Sequence, residues 1–256
     1  VSESTVPTGK NAAGAATSPV ASVTDPPSLL VVAHGSRDPR AGETVERLAG
    51  AAAETLRVRH RVANVDVTGP TVAEALDELP GPVVAVPAFL SSGYHVRTDL
   101  PAQLAAHGRA EVTVSEPLGP AEELVGVMVR GLDRIGWCPG DPVVFAAAGS
   151  ADPGALADVR GMAAALGARV HPRGEPLRPT YVTSAEPRTS AVCAAGGYGP
   201  RTFVAPYLLA PGLFHQWLSE LPSAGVAAPL GEDREVARLV VRRYRAALAR
   251  LPWRGR

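Results

Sequence analysis

Leu30-Val31-Val32-Ala33-His34-Gly35-Ser36-Arg37-Asp38-Pro39 decides the reading of this chain. Leu29 to Ala33 is a short apolar run without polar alternation, the pattern of a strand buried on both faces in a parallel sheet. His34-Gly35-Ser36 ends the run and turns the chain into a helix over Pro39 to Arg57. There Val45, Leu48, Ala49, Ala52 and Leu56 recur at helical spacing.

Further units follow. Val62 to Val67 and Pro82 to Phe89 read as strands with a short helix, Thr71 to Leu79, between them. Tyr94 to His107 reads as a helix, Glu111 to Ser115 as a strand and Ala121 to Gly136 as a long helix. Then the pattern restarts. Gly35-Ser36-x-Asp38-Pro39 recurs as Gly149-Ser150-x-Asp152-Pro153, 114 positions on. Pro87-x-x-Leu90-x-x-Gly93 recurs as Pro206-x-x-Leu209-x-x-Gly212, 119 positions on. Two landmarks in one order indicate an internal duplication. The expected fold is α/β, with two similar halves, each a parallel four-stranded sheet flanked by helices, facing each other across a cleft. The turn-rich stretch Cys138 to Asp141 sets the boundary between an N-terminal half, 27–138, and a C-terminal half, 139–256. Residues 1–26, rich in Ser, Thr, Ala, Gly and Pro with no apolar core, read as a disordered leader and not a signal peptide. Asp233 to Leu251 reads as an amphipathic, arginine-rich covering helix.

Composition narrows the function. Hydrophobic residues make up 46% and aromatics 5%, so the core is aliphatic. Lys plus Arg and Asp plus Glu both number 25, and this zero balance argues against a nucleic-acid partner. Cys138 and Cys193 lie far apart and form no CxxC, which excludes a thiolate metal site built from them alone and a secreted disulfide framework. No run of about 18 apolar residues suggests a membrane span. A cytoplasmic monomer is expected. No GxxxxGK[ST] loop is present to hold a nucleotide.

The duplication separates scaffold from chemistry. Gly, Ser, Asp and Pro persist in both halves, whereas His34 corresponds to Ala148, Arg37 to Ala151 and His95 to Phe214. His34 and His95 each follow an apolar strand, so both leave the carboxyl edge of a parallel sheet, where ligands bind, and can converge. His60, His107 and His171 read as solvated, and His215, next to the position matching His95, as a helix-surface residue.

Val32-Ala33-His34-Gly35-Ser36-Arg37-Asp38-Pro39 and Pro87-x-Phe89-Leu90-x-x-Gly93-x-His95-x-x-x-Asp99-Leu100-Pro101 resemble the two signatures of the sirohydrochlorin chelatases, which are class II tetrapyrrole chelatases. The likeness is to the long, internally duplicated form whose site lies in the amino-terminal half, and it covers nearly everything after the leader. It implies ATP-independent insertion of Fe²⁺ or Co²⁺ into sirohydrochlorin, towards siroheme or cobalamin. A chelatase for another tetrapyrrole or for nickel, or a non-catalytic tetrapyrrole or metal carrier, is the alternative. The resemblance makes His34 and His95 the catalytic, metal-binding residues. The family also places a carboxylate, usually Glu, after the intervening strand. Asp66, one methylene shorter, takes that place here, either as a third metal or proton-handling group or as a turn-initiating residue.

The chemistry suits this set. Insertion strips solvent from the ion, delivers it to one face of the macrocycle and removes two pyrrole protons. Imidazole binds first-row metals and, when neutral, accepts a proton. Two His and one carboxylate hold an ion loosely enough to release it. The metal is thus a substrate, and no tightly bound cofactor is implied. Sirohydrochlorin carries many carboxylates, which Arg37, Arg40 and Arg97, flanking the two motifs, could bind; each could equally be a solvated arginine. Ser36, Ser91 and Ser92 could donate to the same carboxylates or simply shape turns.

Overall fold

In the computed structural model, which describes residues 26–250, the strands sort into two sheets of identical topology. The first runs in the order β2 (His60–Asn64), β1 (Ser28–Ala33), β3 (Val83–Pro87), β4 (Val112–Val114). The second runs β6 (Pro179–Tyr181), β5 (Val143–Ala147), β7 (Phe203–Tyr207), β8 (Gly225–Val226). Every pairing is parallel, and even the register repeats: Val32 lies between Ala63 and Pro87, and Ala146 between Thr180 and Pro206. The helices are α1 (Pro39–Leu56), α2 (Val72–Asp77), α3 (Leu100–His107), α4 (Glu122–Arg134), α5 (Pro153–Val170), α6 (Thr189–Ala194), α7 (Leu213–Ser219) and α8 (Arg234–Leu248). None in the described residues is long and apolar enough to cross a membrane. Apart from Pro26, the leader expected over residues 1–26 lies outside the described residues, as does Leu251 at the end of the expected last helix.

The residues repeated in both halves meet local backbone needs. Asp38 accepts from the Arg40 N–H at 3.0 Å and caps α1, with Pro39 in the first turn. Asp152 caps α5 by accepting from the N–H groups of Gly154 and Ala155 at 2.7 and 3.1 Å, with Pro153 following it. Gly35 and Gly149 have φ of +94° and +102°, and a Cβ at either would overlap the carbonyl oxygen of Asp66 or Thr183. Only glycine tolerates both demands.

The last helix of each half covers the other half's sheet. α8 packs on α1, β3 and β4, whereas α4 packs on α5 and β7. The inner faces therefore share one core, joining Leu29, Val31 and Val86 to Phe145, Phe203 and Ala205. The outer faces keep separate clusters, one around Leu30, Val32 and Leu76, the other around Val144, Val204 and Leu218. The boundary expected at residues 138–139 divides the sheets but not the packing. Asp233 pins the exchange. Its buried carboxylate caps α8 through the Glu235 N–H at 3.0 Å and accepts from Arg130 at 3.0 Å and Arg134 at 3.2 Å, both on α4.

Two elements depart from expectation. The strand expected over Val62 to Val67 stops at Asn64, and Val67 sits at φ 63° in a turn closed by the Thr68 N–H on the Asp66 carbonyl at 2.7 Å. The second half repeats this turn with Ser184 at φ 55°. The helix expected over Tyr94 to His107 opens as a wide π-helical turn, His95–Asp99, in which the Leu100 N–H reaches back to the His95 carbonyl. Pro101 explains the widening, since it has no N–H for the Arg97 carbonyl and its ring crowds that oxygen.

Candidate active site

β1 and β3 are neighbours where the connections diverge, with β2 outside β1 and β4 outside β3, so a crevice opens beyond their carboxyl ends. His34 is the first residue past β1, and the loop after β3 leads to His95 at the start of the π turn. The two imidazoles meet edge to face, with ring centroids 4.6 Å apart at 79°. Phe89 lies nearly parallel to the His95 ring at 5.9 Å and backs it from the protein side. His34 is exposed and lines the cleft, whereas His95 is half-buried and is not among the lining residues.

Asp99 orients His95. The two stand four residues apart on one side of the turn, and His95 Nδ1 lies 2.9 Å from Asp99 Oδ2. Gln103 Nε2 donates to Asp99 Oδ1 at 2.9 Å and to the Val65 carbonyl at 3.0 Å, tying this helix to the loop after β2. The hydrogen bond from His95 holds the Asp99 carboxyl below its usual range against the effect of burial, aided by Gln103. An ionised Asp99 accepts the Nδ1–H, so the lone pair of His95 is on Nε2.

Asp66 does not join them through its carboxylate. Its backbone N–H donates to the His34 carbonyl at 3.1 Å, and its side chain accepts from the Val67 N–H at 2.7 Å. Among the described residues no group of three or more His, Cys, Asp or Glu is arranged to hold a metal ion. The carboxylate that contacts His95 is Asp99.

The three arginines fare differently. Arg40 lies on Asp38, with Nε–Oδ1 at 3.0 Å and the second bond at 2.7 Å. Arg97 crosses to the second half and pairs with Asp152. Arg37 is exposed, lines the cleft and makes no ion pair among the described residues, which leaves its guanidinium available to a ligand. Ser36 and Ser91 also line the cleft, with Ser36 Oγ accepting from the Asp38 N–H at 3.1 Å. The Ser92 N–H instead donates to Asp158 Oδ2 at 2.8 Å.

The cleft has a volume of about 1090 Å³ and takes its walls from both halves. That slightly exceeds the range usual for pockets holding drug-sized ligands. Its lining is largely apolar, with Val45, Val62 and Val67 on one side and Leu156, Leu209 and Phe214 on the other. His215 also lines it and is not on the helix surface as expected; its Nε2 lies 3.1 Å from the Ala227 carbonyl and so carries the proton. His107 is not simply solvated either, with Nε2 at 3.1 Å from Asp77 Oδ1. Asp99 and Gln103 are the site residues missed by the sequence reading. Asp99 was within reach, standing four positions after His95, where a helix brings side chains together. Gln103 carried no such signal.

The CbiX family model matches this chain twice, over residues 28–135 and 142–247. A sirohydrochlorin cobaltochelatase of Methanococcoides burtonii is 35% identical over 82 residues, which cover 28% of this chain and 60% of that protein's length. SirB from Bacillus subtilis, solved with Fe³⁺, superimposes with a TM-score of 0.71 at 23% identity, over 87% of this chain and 95% of its own. A CbiX structure described as the terminal enzyme for siroheme biosynthesis in denitrifying bacteria gives 0.65 at 23% identity, over 86% and 99%. At these identities the two structures establish a shared fold.

Proposed function

Because this chain belongs to the CbiX family, we propose that it inserts Fe²⁺ or Co²⁺ into sirohydrochlorin without a nucleotide, acting in the cytoplasm as a monomer. The observation that carries this reading is the meeting, at 4.6 Å, of His95 with His34, which lines a cleft of about 1090 Å³. The names of the relatives point the same way, towards sirohydrochlorin and towards iron or cobalt. Residues 27–138 supply the chemistry, and residues 139–256 the opposite wall.

The macrocycle enters the largely apolar cleft, and Arg37 at the rim meets its carboxylates. The incoming ion is a substrate, offered by an open pair of imidazoles and passed to the pyrrole nitrogens. Two pyrrole protons leave for each ion inserted, and neutral imidazoles are suited to accept them. His95 presents Nε2 because Asp99 holds its Nδ1–H. Replacing Asp99→Asn keeps an acceptor but removes the charge, and is expected to lower kcat about tenfold. Steady-state rates with Co²⁺ check this, and an unchanged kcat would assign Asp99 to folding alone.

The function is tested by incubating the protein with sirohydrochlorin and Co²⁺, or Fe²⁺ without oxygen, and following the macrocycle absorption. Many turnovers above the non-enzymatic rate, without ATP, are expected. A single stoichiometric change indicates a carrier, and no acceleration with either metal sinks the proposal.

A further inference from the structure

We infer that the second half, which lacks the imidazoles, acts as a one-way clamp on the loop that carries His95, with Asp158, Tyr207 and Asp152 as positioning residues. Three contacts cross between the halves onto residues 90–97. The Ser92 N–H donates to Asp158 Oδ2 at 2.8 Å. The Tyr207 hydroxyl donates to the Leu90 carbonyl at 2.8 Å. The Arg97 guanidinium pairs with Asp152. Tyr207 is buried, and burial pushes its hydroxyl pKa up, so it keeps the proton that it donates. Between Leu90 and Arg97 the chain is therefore held from outside its own half at three points, and His95 lies among them.

The duplication provides an internal control, since each contact has a mirror position at the offsets already given. Asp158 and Ser92 correspond to Thr44 and Pro211; Thr44 bonds the Arg40 carbonyl within α1 at 2.8 Å, and Pro211 has no N–H to donate. Tyr207 and Leu90 correspond to Ala88 and Leu209; Ala88 has no hydroxyl, and the Leu209 carbonyl accepts from the Gly231 N–H at 2.7 Å. Arg97 and Asp152 correspond to Gln216 and Asp38; Gln216 has no charge, and Asp38 pairs with Arg40. None of the three contacts has a counterpart in the reverse direction. General packing between similar halves would act both ways. The one-sided pattern follows the imidazole, holding the loop with His95 and leaving its mirror, with Phe214, without equivalents.

The kinetic part of the test rests on the proposed chelatase function, but the structural part does not. Asp158→Ala is expected to speed amide hydrogen exchange across residues 90–97 about tenfold, while α1 and β1 keep their protection. In metal insertion it is expected to lower kcat about tenfold with the KM for sirohydrochlorin within about twofold, because the cleft walls stay in place. Asp158→Asn, whose amide oxygen still accepts from Ser92, should recover most of both effects. Tyr207→Phe keeps the buried ring and removes one hydroxyl, and should give a smaller change of the same kind. Exchange over 90–97 that matches wild type in Asp158→Ala overturns the clamp. So does loosening spread over the whole molecule in both Asp158→Ala and Tyr207→Phe, or a kcat loss that Asp158→Asn fails to restore. If the wild-type protein inserts no metal, the chelatase reading fails, and hydrogen exchange alone decides the clamp.

Discussion

His95→Ala should lower the rate of metal insertion on the order of a hundredfold, and His34→Ala by a similar factor. The rings are 4.6 Å apart and are proposed to serve one ion, so the double substitution should cost little more than the worse single one. His215→Ala is the control, because its Nε2 is engaged with the Ala227 carbonyl, and it should leave the rate within about twofold. Initial rates at saturating sirohydrochlorin, with the non-enzymatic rate subtracted, check all four proteins. A loss in His215→Ala equal to that in His95→Ala would place the chemistry in the second half.

The second large effect is on stability and lies far from the cleft. Asp233→Ala should destabilise the protein by about 2 kcal/mol at neutral pH, through the lost helix cap and the lost hydrogen bonds to two solvent-exposed arginines. Burial alone would raise the Asp233 carboxyl, but hydrogen bonds from Arg130, the Glu235 N–H and Arg134, with the charge of Arg130, outweigh it and hold the pKa down at about 2. A folded pKa below the unfolded value means that the ionised form stabilises the fold. Its contribution is complete above about pH 4, where the unfolded carboxyl is also ionised, and is lost as pH falls through about 2. Urea unfolding of wild type and Asp233→Asn at pH 7 and pH 3 measures this, and the gap should narrow at the lower pH. A gap that widens on acidification contradicts the assignment.

Much of the site was legible because its landmarks are local. His34 beyond an apolar strand and His95 beyond another could be placed on one sheet edge, since parallel strands share a carboxyl end. Loss of both imidazoles from the second half marked the half in which the chemistry is proposed. Arg40 and Arg97 could not be sorted from Arg37 in this way, because an arginine's long side chain finds its partner in space, and Asp152 is 55 positions from Arg97. Asp66 was placed from the family pattern, either as a metal or proton-handling group or as a turn-initiating residue, and its carboxylate accepts from the Val67 N–H of the turn that follows it.

By itself the sequence determined the duplication, the parallel strands and the two histidines. Caps, positive-φ glycines and buried strands act within a few residues, so Gly35, Asp38 and Pro39 and their copies record them in short motifs. Tertiary structure alone decided that α4 and α8 change sheets, that Asp99 and not Asp66 meets His95, and that Asp158 and Tyr207 hold the loop beside it. The exchange and the clamp depend on how the two sheets pack against each other, over separations of 55 to 117 residues for the clamp hydrogen bonds. The choice of Asp99 depends on where β2 ends and how wide the turn after β3 opens, which neighbouring strands and Pro101 settle only once the sheet is built.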